Sequence, residues 1–276
     1  MVPRRTFLRR ASGLLVPAAF PAILRAQSFS SVPKVASWTS PASSGEPASP
    51  LTAPNIWAFF RSDTGVTNTA GFLSTSGCWV DQTGNGRNWD GTAANKVQVL
   101  SSNVNSHDAF KLIPGTNPSG FSYLVQVASL GLTNPCSAYF LVKDDAWGNS
   151  RYLMASDQAS NYLAIGQFGS SPQVEIIQAG AAGVTTSNPG TGTYYVLSMC
   201  WDAASSFIQV NNNSEVTGTT GTHPPDFWVL GQANGGGTLN NGQFTIAAIA
   251  ITSAHDSTST RTLIKNWMAW YGGLSI

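Results

Sequence analysis

Charge is what this chain has least of. Only 10% of its 276 residues are Asp, Glu, Lys or Arg, against roughly 25% in an ordinary soluble domain, and the formal net charge is +1. A protein that neutralises phosphates needs a basic stripe, and without one neither nucleic acid nor an anionic lipid surface is an expected partner. Glutamate is scarcer still, with Glu46, Glu175 and Glu215 alone. Cysteine is limited to Cys78, Cys136 and Cys200, no two of them close in sequence, which excludes the paired spacing of metal and redox motifs. In an oxidising compartment one pair can bridge and leave a thiol over; equally, all three can be small buried hydrophobes. Also missing are a Gly-x-Ser-x-Gly elbow, a His-Glu-x-x-His helix and a phosphate-cradling Gly-x-x-x-x-Gly-Lys loop. The run Gly235-Gly236-Gly237 has no strand-then-helix context and reads as a hairpin loop.

What is present begins with a secretory pattern. Residues 1–27, MVPRRTFLRRASGLLVPAAFPAILRAQ, run from a basic segment through an apolar stretch to small residues near Ala26, the order of an export signal. Arg4-Arg5-Thr6-Phe7-Leu8 resembles the twin-arginine motif, with Pro3 where Ser or Thr is usual. Pro17 and Pro21 interrupt the apolar stretch, so no stable transmembrane anchor is expected. Residues 28–50 are Ser, Pro and Ala around a single Trp38, too poor in apolar area to offset ordering entropy, and read as a spacer.

From Leu51 to Ile276 short apolar runs alternate with turn signals every ten or so residues, the mark of a sandwich or barrel. The runs predict strands at Asn55–Arg61, Gly77–Asp81, Phe121–Val127, Ser137–Lys143, Tyr152–Ser156, Tyr162–Gln167, Gln173–Gln178, Thr193–Trp201, Phe207–Asn211, Phe227–Gly231 and Phe244–Ile251, all rich in residues that suit a pleated, half-buried surface. Asn85-Gly86, Asn234-Gly235 and Asn241-Gly242 are expected to supply the positive φ of tight hairpin turns. Near the end, Ser257 to Thr260 offer capping hydroxyls, and Leu263, Ile264, Trp267, Met268 and Tyr271 recur at helical spacing before Gly272-Gly273. That pattern predicts a capped amphipathic helix, expected to cover an edge of the sandwich.

The order of three landmarks carries a resemblance. Asn55-Ile56-Trp57-Ala58-Phe59-Phe60-Arg61-Ser62-Asp63, then Trp79-Val80-Asp81-Gln82-Thr83-Gly84-Asn85-Gly86-Arg87, then Tyr195 to Asp202 with Phe207 to Asn211, resemble successive strands of laminin-G-like, concanavalin A-like jelly-roll domains. Phe244 to Ile251 followed by the helix from Arg261 to Gly272 is similar to the closing strand and helix of bacterial and phage members. The resemblance implies an all-β fold: an antiparallel double-sheet jelly-roll sandwich with a short C-terminal helix. This fold hosts lectins, glycan-binding modules, glucanases and lyases, so activity has to be argued from side chains.

The glucanases of the fold place two carboxylates about 5–5.5 Å apart on one strand. No such pair is found here: the glutamates lie on different segments, and Asp144-Asp145 are adjacent, so on a strand they point to opposite faces. A lyase needs a base with a group to neutralise a uronate; His107, His223 and His255 are available with Gln173 and Gln209, but all three histidines sit beside loop signals. Sugar recognition needs an aromatic ring for the apolar sugar face and amides or carboxylates for its hydroxyls. Trp147, with Asn149 and Arg151, is the leading candidate, because a Trp between polar loop residues has no periodic reason to face the core; Trp89 with Asp90 is the second. Aromatics in large sandwiches also plug core ends, and Trp57, Trp79 and Trp201 are read as core. Many members of this family bind calcium at the sheet rim, where Asp81, Asn85 and Asp90 could supply oxygens; Asp81 can equally serve only its own turn.

Three functional readings follow. The first is an exported, non-catalytic recognition domain (periplasmic, cell-surface or extracellular) that binds glycan or another surface ligand. The second is a structural or adhesion protein of a phage virion or cell envelope, with other virion or envelope proteins as partners. The third is a divergent polysaccharide lyase or hydrolase.

Overall fold

The computed structural model describes residues 45–74, 76–91, 97–112, 124–126, 131–148, 151–156, 163–167, 173–178, 184–187, 189–222, 228–231 and 242–276. The chain divides into two compact units, Met1–Ser43 and Ser44–Ile276, and the described residues belong to the second. The export-like segment, most of the spacer with Trp38, Asn149, His223 and the turns at Asn234 and Asn241 lie outside them.

Among the described residues a short 3-10 turn, Pro50–Thr52, capped by Ser49, leads into seventeen strands: β1 Ile56–Arg61, β2 Asn68–Thr69, β3 Phe72–Leu73, β4 Trp89–Gly91, β5 Gln98–Val104, β6 His107–Lys111, β7 Leu124–Gln126, β8 Cys136–Ala146, β9 Arg151–Ser156, β10 Leu163–Gln167, β11 Gln173–Gln178, β12 Val184–Ser187, β13 Tyr194–Trp201, β14 Ser206–Val210, β15 Val216–Gly218, β16 Trp228–Leu230 and β17 Gln243–Thr252. The helix α1 Thr258–Gly272 follows. The strands form two antiparallel sheets. The larger runs β15-β14-β13-β8-β17-β6-β5-β3-β2, with β1 paired to the far half of β17; the smaller runs β12-β11-β10-β9-β16-β7-β4. This is the double-sheet jelly-roll sandwich.

The core between the sheets takes alternate residues from each. Ala138, Phe140 and Val142 of β8 and Tyr195, Leu197, Met199 and Trp201 of β13 face Leu163 and Ile165 of β10 and Trp228 and Leu230 of β16. Trp201 meets Trp228 across the gap at 5.5 Å between ring centroids. Trp79 is also fully buried, edge-on to Phe110 at 4.7 Å. All three cysteines are buried free thiols, and burial pushes Cys78 up to about 11 and Cys200 up to about 12, so they remain protonated, hydrophobic members of the interior.

The helix is where expectation and structure part. It begins with Ser257 accepting from the Thr260 N–H and ends with Gly273 at φ 65°, a left-handed cap that a side chain would strain. Its buried face, Ile264, Trp267, Met268 and Tyr271, lies not on an edge but against the outer face of β8, β13 and β17, the centre of the larger sheet, where Tyr139, Leu141, Val196 and Ala247 await it. The reason is legible in hindsight: the run Ala138–Val142 is apolar at every position and Phe244–Ile251 at every position but Thr245, so both faces of those strands need cover. Trp267 is edge-on to Phe59 at 5.0 Å and stacked on Tyr271 at 4.9 Å, and its indole N–H donates to Glu46 at 3.2 Å. Beyond Tyr271, His107 stacks on the phenol at 3.9 Å and pairs with Asp63 at 2.9 Å, which also holds Arg61 at 2.6 Å. Burial alone would raise the Asp63 carboxyl, but the Arg61 bond and charge outweigh it and hold it down at about 2. His107 is thus an anchor for the helix end, and His255 pairs with Asp202 at 2.7 Å at the helix start.

Candidate functional site

Two ends of the sandwich carry the residues singled out by sequence. The first is the turn between Trp79 and Trp89. Gly77–Asp81 does not form a strand: Trp79 makes single bridges to Val66 and to Trp89, because the backbone around it is diverted to other partners. The Val80 N–H goes to Gly65 and the Asp81 N–H to the Asn88 side chain at 2.9 Å. Positive φ falls on Gly84 (78°) and Gly86 (72°), which flank Asn85, rather than on Asn85 itself. The Asp81 carboxylate is buried and accepts three bonds, from the Phe59 N–H at 3.1 Å, the Thr83 N–H at 3.0 Å and the Thr83 hydroxyl at 2.6 Å. Asn85 donates back to the Thr83 hydroxyl at 2.9 Å. Both Asp81 oxygens therefore already hold protein donors, and this carboxylate ties the turn to β1. Among the described residues no group of three His, Cys, Asp or Glu side chains converges as a metal would require.

Asp81→Ala would leave the buried Phe59 N–H without an acceptor. It is expected to cost about 1–3 kcal/mol of stability, measured by urea denaturation; a loss within experimental error would mean that the carboxylate does not hold the turn.

Trp89 corrects the sequence reading. It opens β4 with no exposed surface, tilted against Phe60 at 5.9 Å, so its ring is core and offers no face to a ligand. Its position directly after a polar turn gave the opposite impression. Asp90 beside it accepts the backbone N–H of Gly77.

The other end gathers more chemistry. β8 and β10 end there, and β9 and β13 begin there, as the pairings Gln167 with Arg151 and Lys143 with Tyr194 require. β8 runs three residues past the expected stop at Lys143, which brings Asp144 and Asp145 into the strand. They do point to opposite faces. Asp145 faces outward and accepts from Thr245 at 2.6 Å, with Lys143 at 3.4 Å. Asp144 points between the sheets and is fully buried; one oxygen accepts from the Tyr195 hydroxyl at 2.8 Å, and the other has no hydrogen-bond partner. From the opposite sheet Gln167, also fully buried, accepts the Gly148 N–H at 2.9 Å through its carbonyl, while its amide nitrogen has no partner. Burial pushes the Asp144 carboxyl up to about 6, opposed by the hydrogen-bonding Tyr195 hydroxyl and Gln167 side chain. Burial and the Asp144 charge push the Tyr195 phenol well above its ordinary value.

Over this interior lie the sequence candidates. Trp147 follows β8 directly, half-buried, with an indole N–H that is shielded yet has no acceptor. Gly148 next to it is bound to Gln167, and a side chain at Gly148 would come within 2.6 Å of the Arg151 guanidine. Gly148 and Arg151 are thus drawn together beside Gln167, with Trp147 next to them in the chain. Asn149 lies between them in sequence but outside the described residues. Asp144, Gln167 and Tyr195 went unrecognised as site residues because a lone acid at a strand end and a Gln or Tyr within an apolar run carry no motif; only the tertiary fold brings them together.

A cavity of about 550 Å³ lies elsewhere, lined by Pro47, Asn105, Asn266, Trp270, Leu274 and Ile276. It offers an indole and two amides, but Asn105 is spent on the Trp270 carbonyl at 3.1 Å, and none of its described residues carries a buried polar atom without a partner. The chemistry favours the Trp147 end over this cavity.

No protein-family model matches the chain, and no curated protein sequence does. In structure the chain is similar to domain 4 of AbnA, an extracellular arabinanase from Geobacillus stearothermophilus, in complex with arabinotriose, with a TM-score of 0.57 at 14% identity over 78% of this chain and 98% of that one. It is similar to the binding domain of botulinum neurotoxin DC in complex with SialylT, with a TM-score of 0.55 at 11% identity over 80% and 52%. A third is an arabinofuranosidase complexed with arabinofuranosyl-α-1,2-xylobiose, with a TM-score of 0.54 at 12% identity over 79% and 63%. The chain spans nearly all of the first and about half to two thirds of the other two. At such identities the likeness is one of fold, a β-sandwich. Among the described residues no helix is long and apolar enough to cross a membrane.

Proposed function

We propose that this protein is an exported, non-catalytic recognition domain that binds carbohydrate at the β8–β9 end of the sandwich. The observation that carries the reading is Trp147: a half-exposed indole whose N–H lacks an acceptor, at the strand end where the buried acid Asp144 and the buried amide Gln167 meet. An aromatic face beside hydroxyl-bonding groups is what a sugar ring needs. The neighbours in structure support it, since the arabinanase domain was solved with arabinotriose. The non-catalytic part rests on the separation of the two adjacent acids, Asp144 inward and Asp145 outward. Export rests on the twin-arginine-like leader.

A glycan array, probed with the full chain with and without calcium, tests it. At least one oligosaccharide is expected to bind, and Trp147→Ala to weaken that binding about tenfold or more while Trp270→Ala leaves it unchanged. Loss in Trp270→Ala alone would move the site to the cavity behind the helix. Silence from a folded protein across the array would favour assembly or adhesion in an envelope or virion.

A further inference from the structure

Resting on that reading, we propose that Gln167 is the positioning residue of the Trp147 site: braced by Asp144 from the opposite sheet, it holds the peptide unit that follows the indole and so sets how the ring is presented. Gln167 closes β10 and Asp144 lies near the end of β8, one in each sheet, and both are fully buried. The Gln167 carbonyl accepts the Gly148 N–H at 2.9 Å. That N–H belongs to the planar peptide unit joining Trp147 to Gly148. The bond therefore fixes the backbone rotation at Trp147, whose half-buried side chain stands on it.

Asp144 decides which end of the amide meets Gly148. Tyr195 donates to one carboxylate oxygen at 2.8 Å, and the other is left to the Gln167 amide nitrogen, which favours the charged form of the acid. A side-chain amide has two unlike ends, a donor NH2 and an acceptor carbonyl. An ionised Asp144 can only accept, so it takes the NH2 and leaves the carbonyl for Gly148. A protonated Asp144 carries an O–H donor and competes for that carbonyl; an amide turned to meet it sets its NH2 against the Gly148 N–H, donor against donor. Burial raises the Asp144 carboxyl to about 6, so acidification through that value loosens the hold on Gly148. The groups around the acid do not share this change. The Tyr195 phenol of β13 lies well above its ordinary value and stays protonated, and Asp145 faces outward beside Lys143. Phe244 of β17 and Thr191, which pair with Asp144 along the backbone, do not titrate, and Arg151 of β9, beside Gly148, keeps its charge throughout.

Two measurements on the full chain test it, the first without a ligand. The NMR signal of the Gly148 amide is expected to shift with pH around an apparent midpoint near 6 and to exchange faster with solvent on the acid side. In Asp144→Asn, whose NH2 imitates the donor of the acid form, and in Gln167→Met, which has no carbonyl to offer, that titration is expected to disappear. The second is isothermal titration with arabinotriose, xylotriose and galactotriose. The natural protein is expected to bind at least one of them about tenfold more weakly at about pH 5 than at about pH 8, and both variants to bind about tenfold more weakly than the natural protein at the higher pH with no such dependence. A cooperative thermal transition shows that each variant is folded. A Gly148 signal that does not titrate, or natural affinity in Gln167→Met, overturns the proposal; if Trp147→Ala then still weakens binding, the recognition reading stands and Gln167 is only a core residue. No binding of any probe at either pH overturns both, whatever the Gly148 signal does.

Discussion

Trp267→Ala is expected to lower the unfolding free energy by about 3–5 kcal/mol, the range for truncating a fully buried large aromatic. The side chain has no exposed surface and is gripped by Phe59, Tyr271 and the Glu46 carboxylate at once. Its removal opens a void between α1 and the outer face of β8, β13 and β17 that those rigid strands cannot collapse to fill. The effect bears on function because β8 and β13 carry Asp144 and Tyr195 on their inner face. Urea denaturation followed by circular dichroism checks it. A loss below about 1 kcal/mol, smaller than an ordinary buried aromatic gives, would show that the helix is an accessory to the sheet rather than its cover.

The second large effect has the opposite sign. Asp144→Asn is expected to stabilise the protein at pH 8, by up to about 3 kcal/mol, since each pKa unit corresponds to about 1.4 kcal/mol. Asp144 has its carboxyl raised by burial from 3.8 to about 6, so the folded state holds its proton more tightly than the unfolded chain does. This carboxyl therefore costs nothing below about pH 4, where it is protonated in both states, and progressively destabilises the fold as pH rises through 4 to 6. The groups facing it are the Tyr195 phenol of β13 and the neutral Gln167 of β10, with the Asp145 charge adjacent on β8. Asparagine has no charge to bury, and the penalty disappears. Thermal midpoints of both proteins at pH 4 and pH 8 check it: the two should converge at pH 4 and separate at pH 8 with the variant higher. A variant less stable at pH 8 would make Asp144 a structural acid whose bonds outweigh its burial.

How far the sequence alone leads depends on which physical signal carries each feature. Strands such as Gln173–Gln178 and Phe244–Ile251 were legible within a residue or two, because β-branched and aromatic runs bounded by turn residues leave little else to form. The helix was legible to its caps, since Ser257 and Gly273 are local chemistry. What it covers was not, because that depends on which sheet face is left bare. The pieces that escaped, β2, β3, β4, β5, β6, β12 and β15, are short or polar: β5 reads QVLSSNV and β15 VTG, and ladder bonds rather than side-chain pattern define them. Trp89 and Trp147 show the same limit at the site. Both stand in polar stretches of the sequence, yet one is fully buried and the other half-exposed, and only tertiary packing separates them. Asp144 was visible as an acid that cannot pair with Asp145; that it faces Gln167 from the other sheet was not, because that contact spans the sandwich.

Hydrogen–deuterium exchange of the full chain, with and without a saturating oligosaccharide, tests the location of the site most directly, since a bound ligand protects the backbone it orders. The account predicts protection confined to peptides covering Val142–Arg151, Leu163–Gln167 and the start of β13. Protection that falls instead on Thr258–Ile276 and Asn105, or on the Asp81–Trp89 turn, would contradict it.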